Sequence, residues 1–106
     1  MLYDEEMQGH DSQLEGVMID VLRRTVSLRL SSFPTQDASN RVAIEVTFSD
    51  VEAVHTIADL TQLGDHHGAG NVNYWHVAEG PGTSYFHLIE GCLVITAHTA
   101  PTLSFR

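Results

Sequence analysis

One cysteine, three prolines and no lysine are found in a chain of 106 residues. A lone cysteine, Cys92, excludes an intrachain disulfide framework and any thiolate zinc cluster. Nowhere does an apolar run approach the roughly 20 residues that a membrane-spanning helix needs. Nor does the N-terminal stretch join basic to apolar residues as a signal peptide does. The expected compartment is therefore cytoplasmic, with no membrane partner. Cations are scarce: 5 arginines stand against 14 carboxylates, for a formal charge of -9. Such a balance opposes phosphate backbones and anionic lipid, so no nucleic acid partner is expected, and a protein partner should be neutral or basic. The glycine-rich GDHHGAG segment has no lysine, and its Asp65 would repel a phosphate. Fourteen acids offer many carboxylate pairs, but nothing in their spacing selects one for glycosidase chemistry.

What is present is enough apolar residue, 42%, for one core in one domain. Residues 1–14 carry Asp4, Glu5, Glu6 and Asp11 with few large apolar side chains and are expected to form a flexible acidic arm. Residues 15–106 are expected to form a single antiparallel β domain. Val17, Ile19 and Val21 alternate with polar or thioether residues, as do Val26, Leu28 and Leu30, which predicts two strands. A turn at Arg23-Arg24 would set Val21 opposite Val26, Ile19 opposite Leu28 and Val17 opposite Leu30. Arg41 to Ser49 alternates most cleanly, with Val42, Ile44, Val46 and Phe48 on one side. The run from Asp50 to Leu63 mixes β-branched residues with two cap-like pairs, Ser49 with Glu52 and Thr56 with Asp59. It predicts a short strand to about His55 and then a short helix. Asn71 to Glu79, Ser84 to Ile89, Cys92 to His98 and Thr102 to Phe105 are strands separated by turn signals. Seven to eight short strands with one short helix indicate an all-β, mostly antiparallel sandwich or small barrel.

Pairing arithmetic for the last strands, with turns at Pro81-Gly82 and Glu90-Gly91, places His76 opposite His87 and His87 opposite Val94. One face then holds Trp75, Val77, Phe86, Leu88, Leu93, Ile95 and Ala97 and is the expected core. The other holds Tyr74, His76, Ala78, Tyr85, His87, Ile89, Cys92, Val94, Thr96 and His98. An aromatic, imidazole-rich second face is unusual for a solvated sheet. Tyr74, His76, Tyr85, His87 and His98 are therefore the candidate ligand or interface face. His76 and His87 are the candidate metal ligands, with Asp65, His66 and His67 of the Gly64–Gly70 loop as further ligands or a lid. Against a metal, the spacings match no zinc signature, and a histidine pair can simply furnish a polar face. No cofactor is expected. Cys92 lacks the flanking signature of a nucleophile, although His87 or His98 could act as its base, and reads as a small, partly buried hydrophobe.

The motif His10-Asp11-Ser12, the strand pair from Val17 to Leu30, the strand Val42 to Phe48 followed by Asp50-Val51, and the closing Gly91-Cys92-Leu93-Val94 together resemble known material. The chain resembles small β-rich bacterial families of uncharacterised function, some of them immunity proteins of polymorphic toxin systems. That resemblance implies a protein without enzymatic activity that neutralises a toxin by binding it. An acidic inhibitor would associate quickly with a basic toxin domain. Two other readings stay open on the residues: a small-molecule or metal-binding domain using the His/Tyr face, and a homodimer with that face as the subunit contact.

Overall fold

The computed structural model describes residues 12–33, 39–58, 60, 72–89 and 91–105. They form eight strands: β1 (Gln13–Asp20), β2 (Thr25–Ser32), β3 (Val42–Phe48), β4 (Val51–Ala58), β5 (Val72–His76), β6 (Gly82–Leu88), β7 (Gly91–Ala97) and β8 (Thr102–Phe105). All pairings are antiparallel. They build two four-stranded sheets, ordered β1-β2-β3-β8 and β4-β7-β6-β5, and no closed barrel. The architecture is a sandwich.

Period-two patterning explains the layering. Val26, Leu28 and Leu30 of β2 and Ile44, Val46 and Phe48 of β3 are buried on one side, against Trp75, Phe86, Leu88, Leu93, Ile95 and Ala97 of the second sheet. Each such fully buried aliphatic side chain contributes roughly 1.5–3 kcal/mol. The two sheets meet through aromatic rings. Phe48 of β3 lies edge-on to Phe86 of β6 at 6.4 Å between centroids, and Phe86 lies edge-on to Trp75 at 5.7 Å. Both are geometries that the ring quadrupole favours. Trp75 is therefore in the core, as its place in the alternation predicts.

Two backbone bonds clamp the first hairpin to diagonally opposite corners of the second sheet. Val72 N–H donates to the Ser12 carbonyl, and Val51 N–H donates to the Arg24 carbonyl. At the first corner the buried hydroxyls of Ser12 and Ser32 share a hydrogen bond of 2.6 Å. At the second, Arg24 and Asp50 form an ion pair, and both adopt left-handed backbone, with φ of 54° and 51°.

Several expectations need correction. Ser12 is buried, Gln13 and Leu14 belong to the fold, and Leu14 packs on the core, so these three residues are not part of the arm expected over residues 1–14. His10, Asp11 and the rest of that arm lie outside the described residues. The first hairpin turns through Val21–Arg24 and pairs Ile19 with Val26 and Val17 with Leu28, two residues from the expected register. Asp20 causes this by accepting a bond from Arg23 N–H and so closing the turn one residue earlier. β4 continues as strand through Thr56, Ile57 and Ala58, where a helix was expected to begin. Its β-branched residues and its ladder to β7 hold it extended past His55, and Leu60, the described residue that follows, is helical, so what is corrected is where the helix starts. No helix among the described residues is long and apolar enough to cross a membrane.

Candidate functional site

The histidine face takes its shape from the registers of the second sheet. His76 of β5 lies opposite Tyr85 of β6, and Tyr85 lies opposite Val94 of β7, which in turn lies opposite His55 of β4. The neighbouring row runs Tyr74, His87, Cys92, Ile57. The expected pairing of His76 with His87 is therefore corrected: each ladder is offset by two residues, and the two histidines flank Tyr85 instead of facing each other. The pairing of His87 with Val94 is corrected in the same way to His87 with Cys92. An offset of two preserves the faces, so the division into a buried and an outer side holds. Only Ala78 changes sides. It lies past the end of β5 and is buried, its N–H donating to Ser84 Oγ at 3.0 Å.

Gly91 explains the offset between β6 and β7. The expected turn included Gly91, but this glycine is the first residue of β7, with φ of 152°, and a Cβ there would come within 2.6 Å of the Ile57 carbonyl oxygen. Glycine is needed here for a close approach of β4 to β7, so the reversal falls on the residues before it.

Tyr85 is the centre of the face. Its ring stacks with that of His76 at 5.3 Å and 30° between planes, and meets that of His87 edge-on at the same distance. His55, His76 and His87 are exposed, while Tyr85, Cys92, Val94 and Thr96 are half-buried. Thr83 and Thr96, opposite each other across β6 and β7, share a hydroxyl hydrogen bond of 2.9 Å. His98 sits beyond the end of β7, with Nε2 3.7 Å from an oxygen of Glu52. It belongs to the rim. Cys92 is a free thiol on the outer face, opposite His87.

The composition of this face sets it apart. Alternation along the four strands places Ala53, His55 and Ile57, then Cys92, Val94 and Thr96, then Thr83, Tyr85 and His87, then His76 on the outer side, among the described side chains. None is aspartate, glutamate or arginine, in a chain of formal charge -9. Glu52 and Glu79 stand at its margins, both exposed. Between Arg41 and Arg106 the sequence has no arginine or lysine at all. The outer side of the first sheet is built differently: Ser27, Arg29 and Ser31 of β2 stand opposite Thr47, Glu45 and Ala43 of β3, with Arg29 directly across from Glu45. That is an ordinary solvated face with opposed charges.

His55 and Ile57 are members of the face that the sequence reading missed. Ala53, His55 and Ile57 alternate, and that signal was hidden by assigning part of the segment to a helix. The absence of arginine and lysine between Arg41 and Arg106 was equally visible in the sequence. Asp65, His66 and His67 lie outside the described residues, so the structure neither joins them to the face nor separates them from it. Among the described residues no three of histidine, cysteine, aspartate and glutamate lie close enough to hold one metal ion. His76 and His87 thus meet around a phenol ring without a third described ligand beside them.

Comparison with protein-family models, with curated proteins and with solved structures gives no match to this chain.

Proposed function

We propose that this protein is a non-enzymatic binding module of the immunity type, and that it recognises a basic protein through the outer face of its second sheet. One observation carries the reading. A strongly acidic chain keeps one whole sheet face free of formal charge, fills it with aromatic, imidazole, aliphatic and hydroxyl side chains, and leaves carboxylates at its margin. Interfaces are depleted of charge at their centre and enriched in aromatic residues, with polar groups at the rim. Exposed Ile57 and Ile89 add apolar area at one end of that face. The net charge supplies long-range attraction for a cationic partner, and the margin carboxylates supply the local complement. An open sheet surface of this composition suits a broad protein contact better than the enclosure of a small substrate. A toxin of basic charge is the partner that the family resemblance suggests.

Affinity capture from the source cells with two versions of the chain tests the reading. Wild-type protein should recover a stoichiometric basic partner at low salt, and less of it as salt rises. Tyr85→Glu puts a charge at the centre of the face while leaving the core untouched. It should keep the wild-type melting profile and lose the partner. Undiminished capture by Tyr85→Glu would contradict the assignment of this face.

A further inference from the structure

β1 is an edge strand of the first sheet, with no strand paired to its outer edge among the described residues. Native edges are usually blunted by lysine, proline or inward-pointing charge. In β1 the exposed charges, Glu15 and Asp20, and the one irregularity, at Leu14/Gly16, lie toward the ends, and the central run of residues 17–19 carries no charge, proline or bulge. Val17 and Ile19 point to the core side, since they pair with Leu28 and Val26, yet they are 41% and 51% exposed. Among the described residues no strand of the second sheet closes fully over them. Met18, on the opposite side, is 63% exposed, and Val21 and Leu22 in the following turn are more exposed still. Beside them a groove of about 280 Å³ opens between β1 and β4, lined by Ile19, Val21, Val26, Val51 and Val54 among others.

We infer that β1 pairs antiparallel with the β1 of a second copy of this chain, joining two first sheets into one continuous eight-stranded sheet about a twofold axis at Met18. The sequence of the strand is self-complementary in that register. Met18 meets its own copy on the outer side. Val17 meets the second copy's Ile19, and Ile19 its Val17, on the core side, where each covers apolar surface that the single chain leaves open. Asp20 falls opposite Gly16, so no like charges oppose each other, whereas a register centred on Asp20 would oppose two carboxylates. Charge also complements end to end. The turn after β1 carries Arg23, which also lies 3.9 Å from its own Asp20 and keeps its side chain 83% exposed, and antiparallel pairing brings it opposite the second copy's Gln13, two residues from Glu15. A closed twofold contact is the commonest arrangement of homo-oligomers. This interface is separate from the outer face of the second sheet and does not depend on the binding role proposed for it.

Light scattering on size-exclusion fractions of the full chain, over a micromolar concentration series, reads the mass directly. The expected result is twice the chain mass of 11.7 kDa for wild type and a loss to once that mass for Ile19→Lys, with an unchanged circular dichroism spectrum. Register is read by oxidation of single-cysteine variants in a Cys92→Ser background. Met18→Cys should form an intermolecular disulfide faster than Leu22→Cys, because across an antiparallel pair only the axial residue meets itself at the short Cβ separation that a disulfide requires. A monomer throughout the series would overturn the inference. So would a dimer that persists in Ile19→Lys, or crosslinking without preference for position 18.

Discussion

Gly91 shows how one residue sets the geometry of the site. Its φ of 152° and the 2.6 Å separation between a would-be Cβ and the Ile57 carbonyl leave no room for a side chain without moving backbone. Gly91→Ala should therefore destabilise the domain by about 2–3 kcal/mol, combining backbone strain with the steric shift. Gly16 provides the contrast, since a Cβ there meets only Arg29 Cδ at 3.8 Å. Gly16→Ala should change stability by less than about 1 kcal/mol, in either direction. Urea melts of both variants check the pair, and equal midpoints would refute the role given to Gly91. The same residue accounts for a misreading of the sequence. A glycine after Glu90 looks like a turn signal, but its purpose is close contact between β4 and β7, which no local pattern announces.

Among the elements, strand existence and sidedness were legible, while register was not. Alternation alone identifies which residues of β2, β3, β6 and β7 face inward, and all of the residues so assigned from Val26 to Phe48 and from Trp75 to Ala97 are buried or, for Val42, packed against the core. Register depends on turns, and turns depend on single contacts. The Asp20 bond to Arg23 N–H moves one hairpin by two residues, and the bond from Ala78 N–H to Ser84 Oγ widens another. Because each offset is even, the face of Tyr85 and His87 survives where the pairing of His76 with His87 does not. Exposure of β1 was also hidden, since periodicity shows which side a residue faces and not whether another sheet covers it. Tying of elements at corners gives a further prediction. Ser12 and Ser32 hydroxyls satisfy each other in a buried corner, so Ser32→Ala should cost about 1–3 kcal/mol by leaving Ser12 Oγ without its partner. The double variant Ser12→Ala, Ser32→Ala should cost less than the sum of the two single changes. Chemical denaturation of the four proteins measures the coupling, and strict additivity would show that the hydroxyls act independently.

At the scale of the whole molecule, the two sheets divide the charge. The described arginines, Arg23, Arg24, Arg29 and Arg41, all belong to the first sheet and its turns, while the second sheet presents a neutral outer face with acidic margins. On the two proposals above, one small sandwich would offer two different surfaces: an edge for a copy of itself and a face for a basic partner. Only part of that arrangement was readable beforehand. His76, Tyr85 and His87 follow from the alternation of the last strands, whereas His55 and Ile57 join them only because β4 stands beside β7, a neighbourhood that strand order alone decides.

Carbethoxylation of histidines, read by mass spectrometry on the protein alone and with the captured partner, examines the proposed face where it matters. With the partner present, labelling of His55, His76 and His87 should fall several-fold together, and an unrelated basic protein at the same concentration should leave it unchanged. Full labelling of all three in the complex would mean that the partner seats elsewhere, and the neutral face of the second sheet would not be the recognition surface.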